Sequence, residues 1–363
     1  MTTRYGLIGS GMMGQEHIRN VALLGGAQVT ALADPDGEQR AQAAALSGGV
    51  AYADHREMLS GEALDALVIA APNHLHLPIL KDALATDLPI LCEKPLGLTE
   101  AECREIEDQA AGRPAPVWVA MEYRYMPPIA RLIEEVRAGT AGRLAMVSIR
   151  EHRFPFLEKV GSWNRFNATS GGTLVEKCCH FFDLMRLILD DEPRRVFATG
   201  GRATNHLEER YPAGVPDIID HAYVSVEFAG GARAMLDLCM FAEGAEWQEE
   251  VTVVGPDARI DARMPGPTRF EPNGQVRHGQ LMIAERATRH RRVEHIETPS
   301  EILAAGDHHG STFYQHERFV RLVREGGAPE VGLRDGRIAV AVGAAAEESV
   351  ATGLVVTLGG SDA

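Results

Sequence analysis

Residues 5–14, YGLIGSGMMG, decide the fold, because an apolar strand pattern runs directly into three spaced glycines and a helix pattern. Gly9 allows a tight turn, Gly11 lets the backbone approach a pyrophosphate, and Gly14 lets the helix pack against the strand. The N–H groups at the start of that helix would face the phosphates. Alone, this glycine spacing is a weak signal, since glycine commonly serves only in turns. The candidate phosphate-binding residues are Gly9, Gly11, Met12, Met13 and Gly14.

A carboxylate at the end of the next strand strengthens the signal. Asp34 lies 20 residues after Gly14, where an acidic side chain accepts hydrogen bonds from a ribose diol. Asp34 could also open a turn before Pro35, with Asp36 capping the next helix, and both roles can hold together. Two acidic side chains would repel a 2'-phosphate, so the sequence predicts NAD rather than NADP, although Arg40 keeps NADP open.

Short apolar runs alternate with helix patterns up to about residue 122. The runs show no polar alternation, which is typical of strands covered on both faces and predicts a doubly wound parallel sheet. Such sheets bind ligands at the carboxyl ends of their strands. We therefore expect the functional residues just after the strands at 5–9, 28–34, 65–70, 89–94 and 116–122.

Charged residues end the fourth of these strands. A lysine at the end of a buried strand needs a partner or a function, and Lys94 lies between Glu93 and Pro95. A Glu–Lys pair reaching solvent is one interpretation, and a ligand-facing Lys94 is the one we favour. The preceding strand end can be explained by an N-cap and partly exposed histidines, but it also supplies candidate cofactor contacts at Pro72, Asn73 and His76.

Composition excludes several classes of protein. The 363 residues predict two domains, and a net charge of -15 repels phosphate backbones and anionic lipid, so we expect neither a nucleic-acid nor a membrane partner. The five cysteines have no disulfide-framework spacing, which favours a reducing cytoplasm. No run approaches the ~18 apolar residues of a membrane span, and the N-terminal residues show no signal-peptide pattern.

Four segments, GSGMMGQEHIRN, AAPNHLHLPIL, LCEKPLGLTE and MEYRYMP, in this order and spacing, resemble the glucose-fructose oxidoreductase, inositol dehydrogenase and rhizopine-catabolism (Gfo/Idh/MocA) family. The resemblance covers nearly the whole chain. It implies an NAD-binding Rossmann domain at residues 1–125 and an α+β domain with a large, mostly antiparallel sheet at residues 126–363. It also implies NAD(P)-dependent oxidation or reduction of sugars or cyclitols. In that family the lysine of the EKP motif contacts the substrate hydroxyl and the nicotinamide region, a role that falls on Lys94.

The second half begins with a linking helix pattern at residues 128–140 and continues in alternating strand patterns. Residues 234–241, AMLDLCMF, are apolar on both faces of the predicted strand. One face would pack against helices, and an exposed apolar patch on the other would be costly. We therefore predict a homodimer or homotetramer formed through this sheet. An Ala-rich helix at about residues 335–353 is expected to pack back between the domains.

The chemical centre is SGGTLVEKCCHFFDLMRLIL, residues 170–189. Two glycines would open one helix in which Glu176 and His180 lie at i and i+4, with Asp183 three residues further on. A buried structural triad and a metal site are the alternatives. Because neither an HExxH motif nor a paired-cysteine zinc spacing is present, the sequence predicts no metal.

The resemblance assigns the catalytic histidine to His180. The family usually has Asp four residues earlier, within a D-x-G-x-H-like stretch, whereas this chain has Glu176 followed by Lys177. Glu176 remains a catalytic candidate, but its extra methylene changes the reach of the carboxylate. Candidate substrate contacts are Lys94, Tyr123, Trp163, Arg165, Glu176, Lys177 and His180, and the candidate cofactor contacts also include Glu93, Lys94 and Arg124.

The predicted activity is hydride transfer between NAD and a sugar, cyclitol or related polyol, with His180 accepting the hydroxyl proton and Lys94 supporting the developing oxyanion. Glu176 and Asp183 would orient His180 or bind neighbouring hydroxyls. Lys177 and the histidines at 308 and 309 keep open an NAD-retaining glycosidase or lyase that acts by transient oxidation. For His308 and His309 we favour a mobile solvated loop. A non-catalytic sugar or nucleotide sensor is the third hypothesis.

Overall fold

The computed structural model of the chain describes residues 2–271 and 274–359, so the outermost ends of the two predicted domains lie outside the described residues. The apolar runs of the first half form parallel strands. Their bounds are β1 Thr3–Ile8, β2 Ala27–Ala33, β3 Val50–Tyr52, β4 Ala66–Ile69, β5 Ile90–Cys92 and β6 Val117–Val119. The order β3-β2-β1-β4-β5-β6 reverses between β1 and β4, which is where such sheets form a ligand crevice. The doubly wound parallel sheet is confirmed.

Helices connect these strands, as the pattern predicted. Their bounds are α1 Met12–Leu23, α2 Gly37–Ser47, α3 His55–Gly61, α4 His76–Leu84 and α5 Glu100–Ala110. The sequence pattern did not predict β3 and α3. Strand β3, Val50–Tyr52, is apolar but has only three residues, fewer than the roughly four to eight that identify a buried strand in a sequence.

The second half forms a nine-stranded sheet, and only the pair between its fifth and sixth strands in spatial order is parallel. Its strands are β7 Met146–His152, β8 Pro193–Gly201, β9 His221–Phe228, β10 Arg233–Cys239, β11 Glu249–Val254, β12 Ala258–Met264, β13 Gly279–Glu285, β14 Arg291–Ile296 and β15 Val356–Thr357. The order is β14-β13-β12-β11-β7-β10-β9-β8-β15. The mostly antiparallel sheet is confirmed. Strands β11 and β12 are an antiparallel pair joined by a turn at residues 255–257.

Seven further helices complete the described part of the chain. They are α6 Pro127–Arg137, α7 Asn167–Ser170, α8 Thr173–Glu176, α9 Cys179–Leu189, α10 Ser300–Ala304, α11 Ser311–Glu325 and α12 Leu333–Thr352. Helix α12 contacts α5 beside the first sheet and α9 and β8 in the second half. Arg337 on α12 pairs with Glu100 and Glu107 on α5, so ion pairs join the two halves. The domain boundary at residues 125 and 126 remains a prediction.

The prediction of one continuous helix around Glu176 and His180 is wrong, because α8 ends at Glu176 and α9 begins at Cys179. In a continuous helix the Glu176 carbonyl would accept the His180 N–H. Here that carbonyl accepts a hydrogen bond from Lys94 Nζ at 2.8 Å. The break therefore results from a contact with the first domain, 82 residues earlier in the chain.

Among residues 2–271 and 274–359, no helix combines the length and the apolar character that a membrane span requires. All five cysteines are free thiols, and four of them are buried.

Candidate active site

A cavity of about 830 Å³ lies between the two halves of the molecule. It begins at the glycine loop between β1 and α1 and extends to α8 and α9. The predicted residues that line it are Gly9, Gly11, Met12, Met13, Asp34, Pro72, Asn73, Glu93, Lys94, Tyr123, Trp163, Glu176, Lys177 and His180. The structure thus brings together most of the predicted site from seven separate segments of the chain.

The glycine loop has the geometry of a phosphate cradle. Gly9 has a φ of +89°, a conformation that L side chains rarely adopt. A Cβ on Gly14 would lie 2.2 Å from the Gly9 carbonyl oxygen, so only glycine allows α1 to begin this close to β1. Gly14 supports the loop from beneath and does not itself line the cavity. The cradle fits a dinucleotide pyrophosphate at the start of α1.

Asp34 faces the cavity beside this cradle. Its carboxylate accepts hydrogen bonds from the Ser10 N–H at 2.7 Å and the Asp36 N–H at 2.9 Å, so it orders the loop as well as facing the ribose position. Arg40 donates to the carbonyl oxygens of Asp34 and Pro35, at 2.6 and 3.2 Å. Its guanidinium is therefore engaged by the backbone, and this arrangement fits NAD better than NADP.

Besides Gly14, three predicted site residues lie outside the cavity lining. His76 is fully buried, and its ring nitrogens lie 2.7 Å from the Pro95 carbonyl and 3.0 Å from the Ala71 carbonyl, so it stabilises the loops around the cavity. Arg165 donates to Glu209 at 2.9 Å. Both ring nitrogens of His76 are thereby engaged, whereas Arg165 NH1 is buried without a hydrogen-bond partner among the described residues.

Arg124 is the third predicted residue outside the cavity lining. Its guanidinium binds both carboxylate oxygens of Asp183, one of them through Nε at 2.6 Å, and both residues are buried. Burial opposes the charge, but Asp183 outweighs it and raises the pKa of Arg124. Asp183 consequently does not orient His180, which corrects the role predicted for it.

Lys94 and Glu176 meet at the centre of the cavity. Lys94 Nζ lies 3.9 Å from Glu176 Oε1, and Lys159 Nζ lies 3.2 Å from the same oxygen. Burial opposes ionisation of Glu176, but the charges of the two lysines outweigh it and lower the pKa of Glu176 to about 2. Glu176 is therefore a carboxylate at neutral pH, and its charge balances those of the lysines.

Glu93, the residue before Lys94, is held from the other side. His17 Nε2 lies 3.1 Å from Glu93 Oε1, and His17 Nδ1 lies 2.8 Å from His316 Nε2. Burial opposes ionisation of Glu93, but the hydrogen bond and charge of His17 lower its pKa. This chain of buried contacts holds the strand end that carries Lys94.

His180 is stacked on Tyr123, with ring centroids 4.0 Å apart and planes 5° from parallel. Its Nδ1 is buried without a hydrogen-bond partner among the described residues, so Nε2 is the ring nitrogen that a ligand would meet. Burial first, and then neighbouring positive charges, lower the pKa of His180 well below its usual range. The charged neighbours are Lys94, Lys177, His308 and Arg153.

Lys177 lies beside the Tyr123 ring, with its Nζ 4.7 Å from the ring centre. Its Nζ donates to the Tyr123 hydroxyl and lies 2.9 Å from Glu151 Oε1. Arg153 NH1 lies 3.4 Å from the same Glu151 oxygen. Glu249 is directly opposite Glu151 in the β11–β7 pair. Burial, followed by the charge of Glu151, raises the pKa of Glu249 to about 7.

A further cluster of ionisable side chains lies where α1 meets the start of α11. His308 Nδ1 is 2.8 Å from Glu16 Oε1 and 3.6 Å from Glu122 Oε1. The Thr312 hydroxyl lies 2.8 Å from Glu16 and 2.6 Å from Glu122. Burial raises the pKa of Glu122, although the charge of His308 opposes this shift.

Glu16, Glu122 and His308 form a set of ligand atoms within 4.8 Å of one another that could hold a cation, although the sequence predicted no metal. The mutual hydrogen bonds already satisfy these atoms. His308 lines the cavity and His309 is buried against the Pro265 carbonyl, so the solvated-loop interpretation is wrong for both residues.

The residues that follow β7 belong to the site but were not among the predicted site residues. Arg153, Phe154, Phe156, Leu157 and Lys159 line the cavity. The charged and aromatic run RFPFLEK directly after a strand was the available signal. Glu16 and Glu122 were also missed, and their chemistry becomes visible only when α1 and the residues after β6 approach His308.

Comparisons with known proteins agree with this arrangement. An oxidoreductase family model described as an NAD-binding Rossmann fold (GFO_IDH_MocA) matches residues 3–121, and the C-terminal alpha/beta domain model of the same family matches residues 133–358. The chain is 34% identical over 201 residues to the rhizopine catabolism protein MocA of Rhizobium meliloti, covering 55% of this chain and 62% of that protein. It is 35% identical over 185 residues to an inositol 2-dehydrogenase of Leifsonia xyli, covering 50% and 52%. The chain thus spans less than two thirds of the length of these curated relatives.

A solved structure of levoglucosan dehydrogenase in complex with NADH superposes with a TM-score of 0.82 at 22% identity, over 98% of this chain and 99% of that one. At this identity the likeness concerns the fold alone.

Proposed function

The chain belongs to the Gfo/Idh/MocA oxidoreductase family, and from this premise we propose that it is an NAD-dependent dehydrogenase of a sugar, cyclitol or related polyol. The observation that carries the proposal is the shared cavity. Lys94 and His180, from separate halves of the chain, line the same cavity as the glycine loop and Asp34. Accumulation of NADH on a panel of polyols, aldoses and inositols tests it, and no accumulation with any member would contradict it.

The residues present fit NAD, which supplies the hydride acceptor when bound. The start of α1 would hold the pyrophosphate, and Asp34 would accept hydrogen bonds from the ribose. His180 Nε2 would accept the hydroxyl proton, since the lowered pKa of His180 keeps its ring neutral. Lys94 would donate a hydrogen bond to the oxygen that loses this proton. The charge of Glu176 raises the pKa of Lys94 despite the opposing effect of burial, so the amine stays protonated for that purpose.

The pH profile follows from the state of His180. A general base must be unprotonated, and because the pKa of His180 is lowered, the base form persists as the pH falls through 6.5, the unperturbed histidine value. We expect the acid limb of kcat/KM for alcohol oxidation to lie below pH 6.5. Measuring the profile in Glu249→Gln separates the contribution of Glu249, whose pKa is about 7. An acid limb above pH 6.5 that persists in Glu249→Gln would contradict the role given to His180.

Asp34 is expected to set the cofactor preference. Asp34→Asn keeps an oxygen that can accept from Ser10 but removes the charge. Hydrogen bonds to charged groups contribute about 1.5–3 kcal/mol, so we expect the ratio of kcat/KM for NAD to that for NADP to fall at least about 10-fold. Asp87→Asn, on the exposed surface, is the matched control. An unchanged ratio in Asp34→Asn would mean that Asp34 only orders the glycine loop.

The NAD-retaining hypothesis rested on Lys177 and the histidines at 308 and 309. Lys177 contacts Glu151 and Tyr123, and His308 contacts Glu16. Among the described residues, no contact specifically favours glycoside cleavage over net oxidation. The NADH measurement distinguishes the two, because cleavage with NAD retained leaves no net NADH.

Self-association through the nine-stranded sheet is also part of the proposal. Four neighbouring strands, β7, β10, β9 and β8, each expose one large apolar side chain, namely Met146, Met235, Tyr223 and Phe197. A second copy of the chain packed on this face would remove these side chains from water. Sedimentation velocity of the full chain, which reports a dimer or tetramer against a monomer, measures the outcome.

A further inference from the structure

We propose that the substrate of this site carries a carboxylate group, bound by Arg153 and Lys177. The inference rests on the proposed function, because it names the substrate class of the same cavity. Both side chains line the cavity, and neither was required by the hydride-transfer roles of Lys94 and His180.

The cations that line the cavity share too few protein carboxylates. Lys177 Nζ and Arg153 NH1 lie 2.9 and 3.4 Å from one and the same oxygen of Glu151. Across the cavity, Lys94 and Lys159 likewise share one oxygen of Glu176. Buried cations are normally paired. Here each pair of cations shares a single acidic partner, so one cation of each pair lacks a partner of its own.

The carboxylates that neutralise Arg153 and Lys177 lie away from the cavity. Glu151 and Glu249 are fully buried and do not line the cavity, whereas Arg153 and Lys177 do. The carboxylates thus lie behind the cations, and a ligand in the cavity meets the positive ends. Glu249 adds less than a full negative charge at neutral pH, since burial and Glu151 raise its pKa to about 7.

Arg153 has hydrogen-bond donors that no described residue uses. Its guanidinium has five N–H groups. Within the part of the chain that the structure describes, its acceptors are the Phe154 carbonyl at 3.2 Å and Glu151 at 3.4 Å. The remaining donors form a planar fork at the cavity wall, and that geometry matches a carboxylate.

The charge balance favours a carboxylate over a phosphate ester. Arg153 and Lys177 carry at most two positive charges against Glu151 and a partly ionised Glu249, so the excess is at most one positive charge, and a carboxylate supplies one negative charge. A phosphate monoester carries about -1.5 to -2 at neutral pH and would overcompensate. The group would also lie near the reacting carbon, because Lys177 Nζ is 4.7 Å from the centre of the Tyr123 ring, which is stacked on His180. The substrate class is therefore a small polyhydroxy acid.

Paired ligands that differ in the carboxylate test the proposal. The pairs are D-glucose with D-glucuronate, D-glucitol with D-gluconate, and galactitol with D-galactonate, with D-glucose 6-phosphate as the phosphate arm. Their binding to the enzyme saturated with NADH is measured by calorimetry, and NADH formation from NAD is measured separately. We expect at least one acid to bind 10-fold or more tightly than its neutral counterpart. We also expect Arg153→Met and Lys177→Met each to remove most of that preference.

The two measurements distinguish a failure of the carboxylate site from a failure of the dehydrogenase proposal. Tighter binding of an acid without NADH formation supports the carboxylate site and contradicts the dehydrogenase proposal. NADH formation from neutral polyols, with no acid bound more tightly than its neutral partner, overturns the carboxylate site alone. Tightest binding of the phosphate, or an equal loss of acid and neutral binding in both variants, also overturns it. Arg286→Met and Lys81→Met, at exposed positions, control for the loss of a positive charge.

Discussion

Replacing Lys94 by methionine is expected to lower kcat for polyol oxidation by about 100- to 10,000-fold while NAD still binds, a range typical of a lost proton-transfer or oxyanion group. The methionine keeps much of the apolar stem but cannot donate a hydrogen bond to the developing oxyanion. His180→Ala is expected to fall in the same range, because no other neutral imidazole nitrogen faces the substrate position in the described residues. Stopped-flow measurement of NADH formation, with NAD affinity measured in parallel, checks both variants.

The double variant and two surface controls sharpen this test. If Lys94 and His180 act on the same proton transfer, Lys94→Met with His180→Ala should cost much less than the product of the two single losses. Lys81→Met and His290→Ala, at exposed positions, should retain the parent rate. Near-normal turnover in either single variant, or a loss confined to NAD affinity, would remove the assigned role.

Arg124→Met is expected to reduce the free energy of unfolding by about 3–5 kcal/mol, because it leaves the Asp183 carboxylate buried without its partner. The two side chains are joined by two hydrogen bonds in a region closed to solvent. Arg124 also donates to the Glu330 carbonyl at 2.9 Å, so its loss affects the segment that leads into α12. Urea unfolding of the full chain at neutral pH measures the change.

The double variant Arg124→Met with Asp183→Leu distinguishes a lost attraction from a stranded charge. Replacing both charged groups by apolar ones can be nearly neutral, so we expect the double variant to regain a substantial part of the stability. The single variant should lose less stability as the pH falls towards 4, because protonation of Asp183 removes the stranded charge. Arg195→Met, which breaks an exposed pair with Glu227, should cost under about 1 kcal/mol. A similarly small cost for Arg124→Met would contradict the structural role.

The predicted cofactor end of the site depended on residues close together in the chain. Gly9, Gly14 and Asp34 lie within one strand–helix–strand unit, and their spacing alone predicts where a pyrophosphate and a ribose would bind. Lys94 was identifiable because a charged side chain at the end of a buried strand needs a partner or a function. These residues all line or support the cavity as expected.

The substrate end could not be predicted in the same way. Helical spacing placed Glu176, His180 and Asp183 on one helix, but the Lys94 contact to the Glu176 carbonyl interrupts it. Arg124 was expected near the cofactor, yet it is held by Asp183, 59 residues later. Each of these outcomes depends on a partner that no local pattern identifies.

By itself, the sequence determined the family, the parallel sheet with its glycine loop, the mostly antiparallel second sheet and the two residues proposed for hydride-transfer chemistry. Periodicity and short-range spacing encode these features, because strand burial, tight turns and helix starts depend on neighbouring residues. Only the tertiary structure decided how the charges around the cavity are paired. Lys177 was predicted as a substrate contact, whereas Arg153 and Lys159 were not. All three line the cavity with acidic partners that come from other segments or lie behind them, and the free energy of a buried charge depends on its surroundings in space rather than on its place in the chain.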